Sequence, residues 1–145
     1  MLITNHVLAG TLVGVRAPSL PLALGLGLAS HFAMDTVPHW GVDDQDEYLR
    51  VARIDGLTGL GVSAAVLAAA PAADRVRIAG GIFGACFPDT NQVSAHFFGR
   101  TFHPAWFDGF HNVIQTEHGW LRQEVIVAGA LSVVVVASLV NRRRG

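Results

Sequence analysis

Val125-Ile126-Val127-Ala128-Gly129-Ala130-Leu131-Ser132-Val133-Val134-Val135-Val136-Ala137-Ser138-Leu139-Val140 is a run without a single charge, and it ends in Asn141-Arg142-Arg143-Arg144. Sixteen residues fall slightly short of the ~20 that cross a bilayer as a helix, and adding Leu121 to Glu124 supplies the missing turn. A buried helix of a soluble protein would look similar. The terminal arginine cluster and the other apolar runs weigh against that reading, so the chain reads as an integral membrane protein.

Composition agrees. The chain has 145 residues, of which 51% are hydrophobic and only 14% charged, against roughly 25% charged in a soluble domain. Its mean hydropathy is +0.42. The net charge of -1 and the lack of a basic stripe argue against a nucleic-acid partner. One cysteine, Cys86, allows neither an intrachain disulfide nor a Cys-type zinc site. Met1 to His6 carries no positive charge on a side chain, so no cleaved signal peptide is expected.

Working back from the last segment, four more apolar runs appear. They cover about 2–15, 20–37, 51–70 and 75–87, with the final helix at 121–140. The expected fold is all-α: a single domain, a polytopic membrane bundle of about five helices, with a polar and aromatic loop over 90–119. Gly10 and Gly14, Gly56 and Gly59, and Gly80, Gly81 and Gly84 give small faces that allow close helix contact in lipid.

Span count then arranges the polar residues. All ten basic residues are arginine. With Arg142, Arg143 and Arg144 placed in the cytoplasm, five alternating spans bring Arg16, Arg75 and Arg77 to the same side. Every histidine, and every acidic residue except Asp74, falls at the opposite face. The expected location is the cell (inner) membrane, multi-pass, with a cytoplasmic C-terminus and membrane lipid as the surrounding partner.

The centre of that one-sided group is Ser30-His31-Phe32-Ala33-Met34-Asp35, followed by Pro38-His39-Trp40. On a helix His31 and Asp35 are i and i+4 and share a face. Pro38 disfavours helix at Val37, so His39 can fold back beside them. An imidazole and a carboxylate at such a helix end suit a divalent ion, zinc first, and an ionisable residue inside an apolar helix marks a functional site by default. The bland alternative is a neutral His31 bonded to Asp35 or to a backbone carbonyl.

Other candidates carry similar pairs of readings. Asp89, after Pro88, is a ligand or a turn aspartate. His6, after Asn5, is a ligand or an interfacial histidine. Asp55 is an ion-pair partner of Arg50 or Arg53, or an acceptor behind a ligand histidine, the second being preferred. His111 and His118 lie two helical turns, ~10 Å, apart, so one of them, His111, is the expected ligand. His39 and His118 are further ligands or the general acid and base. Arg50 or Arg53 is placed to hold a phosphate or carboxylate. His96 and His103 read as interfacial. Trp40, Trp106, Trp120, Phe97, Phe98, Phe102, Phe107 and Phe110 read as an aromatic belt or as the lipid-facing entrance to the site.

Asn5-His6, Gly27-x-x-Ser30-His31-x-x-x-Asp35 and Phe87-Pro88-Asp89 resemble the motifs of the inner-membrane metal-dependent hydrolase family typified by YdjM-like proteins, itself distantly similar to zinc-dependent phospholipases C. The resemblance implies a polytopic membrane protein with metal ligands at His6, His31, Asp35 and Asp89. In this chain Asp89 is followed by Thr90-Asn91, where the family continues with a second acid and a histidine. The expected function is therefore metal-dependent hydrolysis of an ester or phosphoester, lipid-linked or free, at the membrane surface. A non-catalytic membrane protein that binds metal structurally or for transport is the alternative, and haem ligation a weaker third.

Overall fold

The structure, a computed structural model, describes residues 1–144 apart from the side chain of Phe97. Among the described residues it is all-helical, with no strand. The helices are α1 (Ile3–Arg16), α2 (Leu20–Asp35), α3 (Gln45–Ala69), α4 (Arg75–Cys86), α5 (Thr90–Phe98), α6 (Ala105–Ile114) and α7 (Leu121–Arg144), with a 3-10 turn at Phe87–Asp89 between α4 and α5.

Each of the five apolar runs is helical, but the boundaries and the loop need correcting. α3 starts six residues before the expected 51, because the Asp44 side chain accepts the Glu47 amide at 2.8 Å and caps the helix. The region 90–119 is not a loop: it contains α5 and α6. α5 is stopped by Gly99, whose φ of 63° is left-handed, and α6 begins directly after Pro104. α2 ends at Asp35, two residues short of 37, before Pro38.

α1 is the axis of the molecule, with α2, α3, α4 and α7 packed around it. Glycine makes the closest contacts possible. A Cβ on Gly10 would sit 2.5 Å from the Gly81 carbonyl oxygen, and one on Gly81 would strike the backbone of Gly10 and Gly14. Gly27 of α2 meets the same Gly81 carbonyl, and Gly84 meets the Leu24 backbone. Helices α1, α2 and α4 thus touch backbone to backbone. Leu8, Val15, Val66, Ala70, Ile78, Val135 and Leu139 form the apolar core at the other end of the bundle.

That other end is where the arginines gather. Arg142 Nη2 donates to the Val15 carbonyl at 2.6 Å and Arg143 Nε to the Ala69 carbonyl at 2.7 Å, and Arg75 Nε donates to Ala70 at 3.2 Å. These carbonyls close α1 and α3 and have no partner within their own helices, so the guanidinium groups cap them.

α3 and α7 differ from the five shorter helices. They are 25 and 24 residues long, and only 17% of the apolar window of each is buried. Both are long and apolar enough to cross a membrane. Ile54, Leu57, Leu60, Val125, Ile126, Val133 and Val136 all point outward.

Gly81→Ala should cost about 1–3 kcal/mol of unfolding free energy, because the helix backbones must separate. Gly56→Ala, where a Cβ meets nothing within 4 Å, should be neutral or stabilising by up to ~1 kcal/mol. Denaturant unfolding in detergent compares the two.

Candidate metal centre

The site is built on the start of α1, whose first amides have no partners inside the helix. Asp55 of α3 supplies them: its Oδ2 accepts Ile3 N at 2.6 Å and its Oδ1 accepts Thr4 N at 3.3 Å. Glu124 of α7, buried, supplies more. Its Oε2 accepts Leu2 N at 3.1 Å and Asn5 Nδ2 at 2.7 Å, and its Oε1 accepts Trp40 N at 3.0 Å. Two carboxylates from neighbouring helices thus cap α1 and set the depth at which its second turn presents His6.

His31 and Asp35 stand one turn apart on α2, both fully buried, with His31 Nε2 3.0 Å from Asp35 Oδ2. His31 donates Nδ1–H to the Ala85 carbonyl at 2.7 Å. That bond fixes the tautomer and leaves Nε2 bare, the arrangement found behind most metal-bound histidines. His111 of α6 brings its Nε2 to 2.9 Å from His31 Nε2 and 3.2 Å from Asp35 Oδ2. The Gln115 side-chain amide also lies 3.0 Å from that same His111 nitrogen. Asp89, on the 3-10 turn, completes the group: its Oδ1 is 3.8 Å from both imidazole nitrogens.

One ligand atom from each of His31, Asp35, Asp89 and His111 lies within 4.8 Å of all the others. A tetrahedral zinc with bonds of about 2.05 Å places its ligand atoms about 3.3 Å apart. The five separations that involve an imidazole nitrogen, 2.9 to 3.8 Å, bracket that value. Two imidazole nitrogens and two carboxylates thus face one another, and the Met1 amine is a cationic partner of one of them, at Asp35 Oδ1. The group could hold a metal ion.

His6 lies just beside this group. Its ring stacks on His31 with centroids 4.0 Å apart, and its Nε2 is 3.2 Å from Asp35 Oδ1. Both ring nitrogens are buried without an aligned hydrogen bond. Asp35 Oδ1 also meets the Met1 amine at 2.7 Å. Asp35 therefore divides its oxygens, one towards His31 and His111, the other towards His6.

The remaining candidates sit elsewhere. His39 is buried in a short parallel pairing of the 36–40 and 115–119 segments, held by His39 N to Thr116 O at 3.0 Å and Gly119 N to His39 O at 2.7 Å. Its Nδ1–H donates to Val37 O at 2.9 Å. His118 is exposed on the same pairing, its Nδ1 2.6 Å from Glu117 O. Asp55 reaches backbone amides, as above, and not a histidine. Arg50 and Arg53 are exposed on α3. His96 is exposed on α5, whereas the His103 side chain, expected at the interface, is only 4% exposed. Of the aromatic residues, Phe98, Phe102, Trp106, Phe110 and Trp120 are exposed, Trp40 and Phe107 are half-buried, and the Phe97 side chain lies outside the described residues. Glu124 was not singled out by its sequence context. A lone acid at the head of the long apolar run of α7 was the available signal.

Comparison with known family models, with curated proteins and with solved structures gives no match.

Glu124→Ala leaves three donors without an acceptor and should cost about 1–3 kcal/mol. Asp43→Ala, at an exposed residue, should change stability by less than ~0.5 kcal/mol. Urea unfolding of the metal-free chain reads both.

Proposed function

We propose that this chain is a membrane-embedded, metal-dependent hydrolase that acts on an ester or phosphoester at the membrane surface. The observation that carries the proposal is the convergence of His31 Nε2, His111 Nε2, Asp35 and Asp89 within 4.8 Å, with His31 Nδ1 already committed to Ala85 O. Zinc is the ion the donor set suits best. The reading extends the resemblance to YdjM-like hydrolases.

The group has one open side. The Asp89 side chain is 20% exposed, and His111 also lines a cavity of about 170 Å³ between α5 and α6. A site with an accessible face suits catalysis, whereas a purely structural site is closed. A divalent ion bound there supplies Lewis acidity and a more acidic water. His31, His111, Asp35 and Asp89 would hold and orient it, and His6, stacked on His31, would fix the ring plane or add a further ligand. Phe32, edge-on to His31 at 5.6 Å and to Phe110 at 5.1 Å, excludes water from the buried side. The deep burial of His31, Asp35 and His111 is the observation that favours the second reading, a non-catalytic metal site.

The membrane part rests on the outward apolar faces of α3 and α7, which in water would be an extended apolar surface of the kind soluble monomers avoid. We place the protein in the cell membrane as a multi-pass bundle, with the arginine end cytoplasmic and the His/Asp end facing the other leaflet. There the exposed Trp106, Trp120 and Phe102 meet lipid headgroups.

Full-length protein purified in detergent should carry about one zinc per chain, and the His31→Ala, Asp35→Ala double variant should carry almost none by elemental analysis. Equal content in the two would end the metal reading. Hydrolysis of p-nitrophenyl butyrate or p-nitrophenyl phosphate should vanish on chelation and return with zinc. Zinc retained without turnover would select the non-catalytic reading.

A further inference from the structure

The cavity beside His111 is also lined by Asn91, Gln92, Asp108 and Asn112, and behind it stands a polar chain that the metal group does not use. Thr90 Oγ1 lies 2.6 Å from the Phe87 carbonyl oxygen and 3.2 Å from His103 Nε2. His103 Nδ1 is buried without an aligned hydrogen bond, and Asp108 Oδ1 lies 3.3 Å from it. Asp108 Oδ2 accepts Asn91 Nδ2 at 2.6 Å. Asn91 Oδ1 in turn accepts Phe102 N at 2.7 Å and His103 N at 3.3 Å. The imidazole is clamped between Phe87, at 4.7 Å, and Phe107, at 5.0 Å.

The hydrogen count in this chain is tightly limited. A carbonyl only accepts, so Thr90 spends its single hydroxyl hydrogen on Phe87. Its oxygen is then an acceptor towards His103, which must carry its hydrogen on Nε2. Nδ1 of the neutral ring is therefore bare and faces a carboxylate oxygen, also an acceptor. Nδ1, which is buried, and Oδ1 of Asp108, whose side chain is 29% exposed, lie 3.3 Å apart, and one proton between them satisfies the buried nitrogen. Asn91 cannot supply it, because its amide hydrogen goes to the other oxygen of Asp108 and its orientation is fixed by two backbone amides.

We infer that His103 and Asp108 form a proton-sharing pair at the wall of the cavity, with Asp108 as the general acid–base group that meets the substrate and His103 as the residue that positions it and stores the proton. The inference deepens the hydrolase reading and rests on it. Asp108 lies one helical turn before His111 on α6, so the two share a helix face and line one cavity. In the reaction, the pair gives its proton to the leaving oxygen as the bond from that oxygen to the acyl or phosphoryl centre breaks. The water whose oxygen adds to that centre gives a proton back to the pair. The products are the acid and the alcohol, and the pair ends as it began. The cavity wall has carboxylate and amide groups and no cation, so the leaving part it accommodates is a neutral hydroxyl-bearing group, such as an alcohol or polyol, and not a second anion.

Full-length protein in detergent, labelled with ¹⁵N in its imidazoles, tests the pair without any turnover. His103 should carry a hydrogen on Nε2, and its Nδ1 signal should lie on the protonated side of a bare nitrogen and move in Asp108→Asn. A bare Nε2, or an Nδ1 signal indifferent to Asp108→Asn, overturns the inference. Kinetics of the zinc-loaded protein test the role, using p-nitrophenyl against ethyl butyrate and p-nitrophenyl phosphate against glycerol phosphate. An alkoxide needs a proton to leave and p-nitrophenolate does not. Asp108→Asn and His103→Gln should therefore slow the alkyl esters by about 100-fold or more and the aryl esters far less, with zinc content unchanged. An equal loss on both leaving groups marks a merely structural role and overturns the inference. Unchanged turnover in both variants overturns it alone, whereas no zinc-dependent turnover of any of the four by the wild type overturns the hydrolase reading with it.

Discussion

The free amides at the start of α1 impose the constraint on which the rest of the molecule depends. α1 is surrounded by four helices and its first amides are partly or fully buried, and an unpaired buried donor costs about 1–3 kcal/mol. Asp55 and Glu124 meet them from α3 and α7. Once they do, α1 cannot slide along its axis, and α3 and α7 are tied to the end of the bundle that holds the histidines. At the far end Arg142 and Arg143 perform the converse task for the α1 and α3 carbonyls. The long helices are thus fastened to the short central one by its two electrostatic ends, with apolar packing between.

Glycine converts that axial fixing into lateral precision. Because α1, α2 and α4 meet backbone to backbone at Gly10, Gly81 and Gly27, the Ala85 carbonyl comes within reach of His31 on the neighbouring helix. The bond at 2.7 Å sets the tautomer on which metal ligation depends. Packing and chemistry are coupled here: a side chain in the seam would move α4 away from α2 and release the imidazole.

Much of this is written locally in the chain. The His31–Asp35 spacing, Asp89 after Pro88, the glycine faces and the unbalanced placement of the arginines can all be read from single segments, and the structure brings His31, Asp35, Asp89 and His111 into one group. What could not be read is tertiary. The 90–119 region looked like a loop because its apolar residues are broken by Gly99 and Pro104, although those same residues are the stop of α5 and the start of α6. With those helices unread, His103 stood apart from Asp108, and Asn91 looked like a lost ligand instead of the amide that holds Asp108. Glu124 was likewise invisible as a cap, since the groups it meets on and before α1 are more than a hundred residues away in sequence. His39 shows the opposite error of locality: Pro38 does turn it back, but into a backbone pairing with the 115–119 segment.

The helices differ in length in a way that bears on depth. At 1.5 Å per residue, α1, α2 and α4 are about 18 to 24 Å long, whereas α3 and α7 approach about 36 Å. A bilayer whose hydrocarbon layer is about 30 Å thick fits the long pair and overtops the short trio. On the membrane reading, lipid must thin or dimple against α2 and α4. The metal group, at the upper end of those short helices, then sits below the general level of the headgroups, at the depth where an ester linkage joins a polar head to its hydrocarbon tail.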